Sequence, residues 1–242
     1  MVMFAIITGG TKGIGYSVAK CMAEMGYNLL LTYGADTFTA QRSCSELSKT
    51  YGVEASALQA DVSDRKAVDV IARHVENRDL TIDVIVLNAG LTLRDSFEEM
   101  KESDWERVFY ANVQFPVFLL QRLLGRIKQG GSVIFTGSLM AILPHGMSLA
   151  YGVTKAAVHA LVKNMVKFLS PHGIRINAVA PGFVDTDWQK TKPVEVRRAI
   201  ESKIALGRFG EPDELSNIYR MLIENTYING SIIVADGGYS YK

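Results

Sequence analysis

The sequence predicts a single α/β domain, in which a doubly wound parallel sheet of about seven strands carries helices on both faces. Short β-rich apolar runs alternate with longer helical patterns almost to the end of the chain, which is typical of this architecture. The runs at 84–87 and 133–135 are apolar without alternation, as strands buried on both faces require. The 242 residues, 48% of them hydrophobic, suffice for one large core.

Each element is predicted from its own pattern. The strands follow the apolar runs, at 3–8, 28–33, 54–60, 82–87, 131–137, 174–180 and 230–235. The helices lie between them, at 14–26, 37–50, 64–77, 103–129, 150–170 and 212–224. Pro212 stands in the first turn of the last helix, where its missing N–H costs nothing. The apolar first residues have no basic leader and stop at Thr8, so we interpret them as a buried strand and not as a signal peptide.

Charge and cysteine content favour small-molecule partners and a cytoplasmic location. The net charge is +1, from 26 basic and 25 acidic residues that are interspersed, so no surface for nucleic acid or membrane is indicated. Cys21 and Cys44 lack metal or redox spacing, and we interpret both as reduced structural thiols. None of the histidines has ligand spacing, so no metal site is predicted. A surface or loop position is expected for His74, His145, His159 and His172.

A glycine-rich turn over residues 8–15 follows the first strand and opens the first helix. Its glycines let the backbone turn tightly and let a pyrophosphate approach the helix N-terminus, where free N–H groups and the helix dipole favour anions. The turn therefore predicts dinucleotide binding in a Rossmann-type domain, although its spacing is not the common G-x-G-x-x-G. The candidate cofactor-binding residues are Gly9, Thr11, Lys12, Gly13, Ile14 and Gly15.

Two later turns are candidates for the same cofactor. Asp61 and Val62 follow the third strand, where the carboxylate could hold the adenine edge or could instead be solvated or cap a helix. Asn88, Ala89 and Gly90 close the fourth strand. Their small size would leave room for a ribose, and a simple turn is the alternative.

Tyr151 and Lys155 open a predicted helix, and their four-residue spacing places phenol and ammonium on one helix face. A nearby cation favours the phenolate, which would lower the pKa of Tyr151 from its usual value of about 10 and suit it to proton transfer. The spacing alone is weak evidence, because Tyr16 and Lys20 share it.

Together, these motifs resemble the short-chain dehydrogenase/reductase family over essentially the whole chain. The resemblance is carried by Thr8-Gly9-x-x-x-Gly13-Ile14-Gly15, Asn88-Ala89-Gly90, Ser138 thirteen residues before Tyr151, and Lys155. Asn112 falls where the family keeps a catalytic asparagine, and 236–238 resembles its C-terminal signature. The family's nicotinamide-side loop is matched at Pro181, Gly182, Val184 and Thr186. Tyr16 and Lys20 match nothing in the pattern, so we interpret them as ordinary helix residues.

The resemblance implies that Asn112, Ser138, Tyr151 and Lys155 act on a carbonyl with a nicotinamide cofactor. Tyr151 would supply the proton, and Ser138 a hydrogen bond to the developing oxyanion. Lys155 would also bind the nicotinamide ribose, and Asn112 would hold a water that returns the proton through Lys155. Taken alone, Asn112 is explained equally well as a helix amide that is satisfied locally.

The end of the second strand favours NADP(H), with NAD(H) still possible. An NAD-dependent member usually has an acidic residue there, which binds the ribose and repels a 2′-phosphate, but this chain has Tyr33. Gly34 has no side chain, so Lys12 is the candidate for the 2′-phosphate. Asp36 would favour NAD(H) if its carboxylate turned back to the ribose, but we expect it to cap the following helix.

The runs at 181–187 and 207–214 look most like those of 3-oxoacyl-[acyl-carrier-protein] reductases. Such reductases dock an acidic carrier protein, and we expect Arg126, Lys128 and His172 beside the active-site mouth, although His172 stands where a stronger cation is usual. A free ketone, hydroxysteroid or sugar is therefore the alternative substrate. A non-catalytic dinucleotide-binding protein is the alternative from another class, and the presence of all four catalytic positions disfavours it.

Two further expectations concern assembly and a lid. The resemblance implies a homotetramer, in which surplus apolar residues on helices 103–129 and 150–170 pack across a two-fold axis and the last strand forms a second interface. These residues are Phe109, Val113, Phe118, Val158, Leu161, Val162 and Met165. The charged, proline-containing segment 186–211 breaks the strand–helix rhythm, so we expect a mobile surface lid that closes over substrate.

Overall fold

Seven parallel strands form one sheet in the computed structural model, which describes residues 2–94, 96–144 and 148–242. The strands are β1 (Met3–Ile7), β2 (Tyr27–Tyr33), β3 (Ala55–Gln59), β4 (Ile82–Leu87), β5 (Ile127–Thr136), β6 (Arg175–Pro181) and β7 (Ile232–Ala235). Their order in the sheet is β3-β2-β1-β4-β5-β6-β7. The chain therefore starts in the middle, winds to one edge and then crosses over to build the other half, which confirms the predicted doubly wound sheet.

Helices cover both faces of the sheet. They are α1 (Gly13–Glu24), α2 (Thr37–Tyr51), α3 (Ala67–Asn77), α4 (Glu102–Phe109), α5 (Phe115–Leu123), α6 (Leu149–Leu169), α7 (Asp187–Lys190), α8 (Val194–Glu201) and α9 (Pro212–Glu224). One apolar cluster fills the space between the sheet and α3, α5 and α6, and another lies between the sheet and α1, α2 and α9. Within the described part of the chain, no helix combines the length and apolar character that crossing a membrane requires.

The central strands are buried on both faces, as the apolar runs at 84–87 and 133–135 predict. All six residues of β4 are buried, and β1 exposes part of Met3 alone. Each fully buried large apolar side chain contributes about 1.5–3 kcal/mol of hydrophobic free energy. Because β1 and β4 diverge to opposite halves of the sheet, a crevice opens beyond their carboxyl ends, and this is where α/β sheets of this type bind ligands.

The predicted helix 103–129 differs most from the structure. α4 runs into a π-helical turn (Tyr110–Gln114), α5 ends at Leu123, and β5 begins at Ile127 and not at 131. Ile127 pairs with Ile82, and the register then shifts before the ladder resumes. Gly130, with φ of +87°, supplies the backbone conformation that this irregularity needs.

Caps define the limits of two other helices. Asp36 accepts a hydrogen bond from the Thr39 N–H at 3.0 Å and so caps α2, as predicted. α3 begins at Ala67, later than the predicted 64, because Asp64 instead forms a turn in which its carboxylate accepts the Lys66 N–H at 2.9 Å.

The segment 186–211 contains α7 and α8 and is not wholly at the surface. Ile204 and Phe209 are 1% and 4% exposed, so the prediction of a surface segment is wrong for them. Arg197 forms an ion pair with Asp185 at 3.0 Å, and its guanidinium lies 4.3 Å from the centre of the Phe209 ring. These contacts fix the second half of the segment to the loop after β6. Closure over a substrate stays a prediction.

The apolar residues expected at a subunit interface differ in their exposure. Val158 and Val162 are 1% and 0% exposed, because they face the protein's own sheet, so they cannot pack against another copy. Phe118 is 50% exposed. Partial burial is found for Phe109, Val113, Leu161 and Met165.

Candidate active site

A cleft of about 420 Å³ lies beyond the carboxyl ends of the central strands. It brings together most of the predicted site: Gly9, Lys12, Gly13, Ile14, Tyr33, Asp61, Val62, Asn88, Ala89, Gly90, Ser138, Tyr151, Lys155, Pro181, Gly182, Val184 and Thr186. Thr11, Gly15 and Asn112 were predicted at the site but do not line this cleft. Sequence reasoning missed several of its walls, which include Thr136, Gly137, Trp188 and Gln189.

The glycine-rich turn has the geometry of an anion-binding turn. Gly13 has a φ of +57°, which disfavours a side chain, and α1 begins there with Gly13 and Ile14 lining the cleft. A Cβ on Gly15 would collide with the carbonyl of Gly9 and lie 2.6 Å from Asn88 Nδ2. Thr11 is buried, and its carbonyl accepts a hydrogen bond from Ser43 Oγ at 2.9 Å. Thr11 and Gly15 therefore support the turn instead of lining the cleft.

Asn88 ties the ends of three strands together. Its Nδ2 donates to the carbonyls of Thr8 and Gly9, both at 3.1 Å, and its Oδ1 accepts from Thr136 Oγ1 at 3.2 Å. Thr8 Oγ1 in turn accepts the N–H groups of Asn88 and Ala89, both at 3.0 Å. The turn after β4 is thus more than a simple turn, since it holds the glycine-rich turn in place.

Lys12, Tyr33 and Asp61 surround the part of the cleft beyond β2. Lys12 is exposed, and its charge is among the influences that lower the pKa of Asp36, after the hydrogen bonds from Thr39. Asp36 itself does not line the cleft. Asp61 Oδ1 accepts hydrogen bonds from the Ser63 N–H at 2.8 Å and from Ser63 Oγ at 2.9 Å. This end of the cleft therefore has an exposed cation, Lys12, and the carboxylate of Asp61, whereas β2 itself ends in Tyr33, which carries no carboxylate.

Tyr151, Ser138 and Lys155 meet at the other end. Ser148 Oγ accepts the Tyr151 N–H at 3.4 Å and caps α6, which places Tyr151 in the first turn. The side chain of Ser138 lies beside the Tyr151 hydroxyl and acts on its pKa as a hydrogen-bonding neighbour. Lys155 Nζ lies 5.4 Å from the centre of the Tyr151 ring and donates to the carbonyl of Thr136 at 2.7 Å.

Burial has the largest effect on the pKa values of Tyr151 and Lys155. It raises the pKa of Tyr151 to about 12, against the lowering effect of the Ser138 hydrogen bond, and it lowers the pKa of Lys155 to about 8. The predicted lowering of the Tyr151 pKa by Lys155 is therefore wrong here, because the ammonium lies over the ring and burial disfavours the phenolate. Tyr151 keeps its proton at neutral pH, which is the form that a proton donor needs.

His159 is a residue of the site that sequence reasoning missed. The prediction of a surface histidine is wrong, because the side chain is buried and its Nε2 accepts the Ser138 N–H at 3.4 Å. Burial, with smaller contributions from Lys155 and Lys163, lowers the pKa of His159 to about 4, so the ring is neutral and can accept this hydrogen bond. A Cβ on Gly137 would collide with the ring. The sequence feature that could have identified His159 is the four-residue repeat of Tyr151, Lys155 and His159, which places them on one helix face.

Asn112 lies in the π-helical turn and braces the loop after β4 against α6. Its Oδ1 accepts the Leu91 N–H at 2.7 Å, and its Nδ2 donates to the Leu91 carbonyl and to Thr154 Oγ1, both at 2.9 Å. Both amide hydrogens are thus committed to protein atoms. π-Helical turns often occur at functional sites. The role of holding a water stays a prediction, and these N–H groups are not free for it.

The remaining sequence candidates lie away from the cleft. Lys20 donates to Asp213 of α9 at 3.0 Å, as suits an ordinary helix residue. His172 is exposed, His74 is half-buried, and His145 lies outside the described residues. Within 2–94, 96–144 and 148–242, no group of three or more His, Cys, Asp and Glu side chains could hold a metal ion.

Arg126 and Lys128 lie at the opposite end of β5 from Ser138. Arg126 pairs with Asp79 at 2.6 Å and Lys128 pairs with the buried Asp83, both near the amino ends of the strands. At about 3.3 Å per strand residue, the length of β5 separates them from Ser138 by roughly 30 Å. The expected position beside the active-site mouth is therefore wrong within one chain. His172 lies three residues before the start of β6 and therefore at the same end of the strands as Arg126 and Lys128.

A second cavity, of about 140 Å³, adjoins the cleft, and we name it the substrate-side cavity. The two share Ser138, Tyr151 and Trp188 as walls. The rings of Tyr151 and Trp188 are in edge contact, with their centres 6.2 Å apart. A molecule in the substrate-side cavity would thus reach the hydroxyls of Ser138 and Tyr151 while a second molecule occupied the cleft.

Comparisons with known proteins agree with this geometry. A family model described as enoyl-(acyl carrier protein) reductase matches residues 9–240. The chain is 33% identical over 239 residues to the uncharacterized oxidoreductase YmfI of Bacillus subtilis, covering 97% of this chain and 98% of the relative. It is 31% identical to the 3-oxoacyl-[acyl-carrier-protein] reductase FabG of Aquifex aeolicus, covering 97% and 96% of the two chains.

Solved structures extend the comparison to the fold. A short-chain dehydrogenase from Burkholderia cenocepacia in complex with NADP superposes with a TM-score of 0.92 at 28% identity, covering 98% of both chains. The acetoin dehydrogenase YohF from Salmonella typhimurium gives a TM-score of 0.88 at 28% identity, covering 99% of this chain and 98% of the other.

Proposed function

The chain belongs to the short-chain dehydrogenase/reductase family of oxidoreductases, and we propose that it reduces a ketone to a secondary alcohol with NADPH, as a 3-oxoacyl-[acyl-carrier-protein] reductase or a close relative of one. The observation that carries this proposal is the position of Ser138 and Tyr151, which are shared walls of the cofactor-sized cleft and the substrate-side cavity. A relative named as such a reductase and a solved relative that holds NADP support it.

The cleft fits a dinucleotide. Gly9 and Gly13 have no side chains that would block a pyrophosphate, and the N-terminus of α1 favours its negative charge. Asp61 and Val62 would hold the adenosine end, and the loop from Pro181 to Thr186 would cover the nicotinamide end beside Lys155. When bound there, NADPH supplies the hydride, whereas the protein supplies position and the proton.

The side chains at the junction are suited to ketone reduction. Tyr151 carries its proton at neutral pH and can donate it to the carbonyl oxygen, as negative charge develops there. Ser138 offers the same oxygen a hydrogen bond. Its orientation is fixed by the backbone, since Ser138 N–H donates to His159 and Ser138 Oγ accepts the Met140 N–H at 3.1 Å. The site is therefore organised before substrate arrives.

The substrate itself is tested by a screen of oxoacyl thioesters, free hydroxyketones, steroids and sugars with both nicotinamide cofactors. The proposal expects the highest kcat/KM with an oxoacyl thioester and NADPH. A preference for a free ketone would favour the alternative substrate class, which a solved relative named as an acetoin dehydrogenase keeps open. Turnover of any ketone would dismiss a non-catalytic dinucleotide-binding protein.

Lys12 should set the preference for NADPH. A hydrogen bond from its ammonium to the 2′-phosphate contributes about 1.5–3 kcal/mol, roughly a ten- to hundredfold effect on affinity. We expect wild type to have a higher kcat/KM for NADPH than for NADH, and Lys12→Ala to reduce that ratio at least tenfold. Lys49→Ala, which removes an exposed lysine remote from the cleft, is the control. A wild-type preference for NADH would contradict the assignment.

We also propose a homotetramer. Phe118 on α5 and Phe168 on α6 are 50% and 72% exposed, and neighbouring copies would cover these apolar side chains. Light scattering at micromolar concentration should therefore give about four times the 26.6 kDa chain mass. A measured mass equal to that of one chain would refute the assembly.

Two smaller expectations complete the proposal. The cytoplasm is the compartment that suits Cys21 and Cys44, which are both free and buried. The segment 186–211 would act as a lid, because α7 places Trp188 against Tyr151 and could exclude water from the junction. Proteases should cut this segment first in the free protein, and NADPH with substrate should protect it.

A further inference from the structure

Two cations face the substrate-side cavity. Arg94, on the segment after β4, and Lys192, between α7 and α8, are walls of the same cavity as Ser138 and Tyr151. Thr92 and Gln189 lie in the wall with them and offer further hydrogen-bonding groups. The cavity thus combines the proposed proton donor with a pair of positive charges.

Nothing in the described part of the chain neutralises this pair. Neither Arg94 nor Lys192 forms an ion pair with a carboxylate in 2–94, 96–144 and 148–242, whereas nearby Lys190 pairs with Asp187 at 3.6 Å and Arg197 pairs with Asp185 at 3.0 Å. Lys192 is half-buried, and its pKa is lowered first by burial and then by the charge of Arg94. Bringing two like charges to one cavity is unfavourable, and an anion between them removes that cost.

We infer that the substrate carries an anionic group, a carboxylate or a phosphate, that Arg94 and Lys192 bind while its ketone lies at Tyr151. The inference rests on the proposed function and deepens it by naming the substrate class. Arginine presents a planar fork that binds carboxylates and phosphates through two parallel hydrogen bonds, and lysine adds a point charge. An exposed anion-binding residue such as Arg94 also attracts the substrate from solution.

The charge requirement is measured with matched substrate pairs and NADPH. Acetoacetate against methyl acetoacetate tests a carboxylate, and acetoacetyl phosphopantetheine against acetoacetyl pantetheine tests a phosphate. In at least one pair, kcat/KM should be at least tenfold higher for the charged member. The pair that shows the effect identifies the source of the anion.

Arg94→Gln and Lys192→Gln should each reduce that charged-to-neutral ratio about tenfold. Arg198→Gln and Lys203→Gln are the controls, because they remove one exposed positive charge each from residues outside the cavity wall, and they should leave the ratio unchanged. Equal kcat/KM within both pairs for wild type, or equal losses for charged and neutral members in the variants, would overturn the inference.

A binding measurement separates this inference from the proposed reaction. Trp188 lies in the cavity wall, so its fluorescence reports occupancy when Trp105 is replaced in a Trp105→Phe background. Two comparisons are made: 3-hydroxybutyrate against methyl 3-hydroxybutyrate, and phosphopantetheine against pantetheine. In at least one of them, the charged ligand should bind at least tenfold more tightly than the neutral ligand. Such a preference without ketone turnover would sink the proposed function and leave the anion site standing, whereas equal affinity in both comparisons would sink the anion site.

Discussion

Tyr151→Phe should lower kcat by about 10²–10⁴-fold, because it removes the group that donates a proton to the carbonyl oxygen. The ring remains, so its edge contact with Trp188 and the packing of α6 should persist. The dissociation constant of NADPH should change by less than about threefold, since the hydroxyl lies beside Ser138 and not beside the glycine-rich turn. Steady-state kinetics and a fluorescence titration with NADPH measure the two effects separately.

Tyr16→Phe is the matched control for this variant. Tyr16 has the same four-residue spacing to a lysine, but it lies on α1 and outside both cavities. It should keep wild-type kcat. If Tyr151→Phe retained most of the activity, the proton donor would be misassigned.

Lys155→Met should impair both kcat and cofactor binding. The ammonium is proposed to bind the nicotinamide ribose, so its loss should weaken NADPH binding about ten- to hundredfold, and kcat should fall by about 10² or more. Methionine nearly conserves the volume and removes the desolvation cost of a buried ammonium, which offsets the loss of the hydrogen bond to the Thr136 carbonyl. We therefore expect Tm to change little. Lys163→Met, on the exposed face of the same helix, is the control.

The pH dependence of cofactor binding should report Lys155 directly. Burial lowers its pKa to about 8, so the ammonium loses its charge as pH rises through that value. NADPH binding should weaken over the same range in wild type, and Lys155→Met should abolish the dependence. Unchanged NADPH affinity and kcat in Lys155→Met would contradict the role given to this residue.

The sheet was predictable because its strands are buried on both faces. The unbroken apolar run at 84–87 in β4 predicts a strand that is buried on both faces, and the glycine-rich turn after β1 marks where the first helix starts. The start of β5 was not predictable in the same way. Ile127 pairs with Ile82 ahead of a register shift at the glycines, and such irregularities depend on the neighbouring strand.

The proposed catalytic residues were predictable by motif, but their surroundings were not. His159 was assigned to the surface because it lacks metal-ligand spacing. Its repeat with Tyr151 and Lys155 indicates a shared helix face, but it does not predict the contact with Ser138, which belongs to a different element. The same limit applies to Asn112, whose amide is bound to Leu91 and Thr154. The pKa of Tyr151 was misjudged because spacing predicts the neighbouring charge but not the extent of burial, and here burial has the larger effect.

We propose that this protein moves hydride from NADPH to a ketone that is held at Tyr151 and Ser138. The most direct test is a reaction of acetoacetyl pantetheine, acetoacetyl phosphopantetheine and acetoacetate with NADPH that carries deuterium at the transferable C4 position, followed by mass spectrometry of the alcohol product. Wild type should place one deuterium on the carbinol carbon of at least one product, and Tyr151→Phe should form almost none in the same time. Failure of wild type to oxidise NADPH with any of these ketones, or an alcohol without deuterium, would contradict the claim.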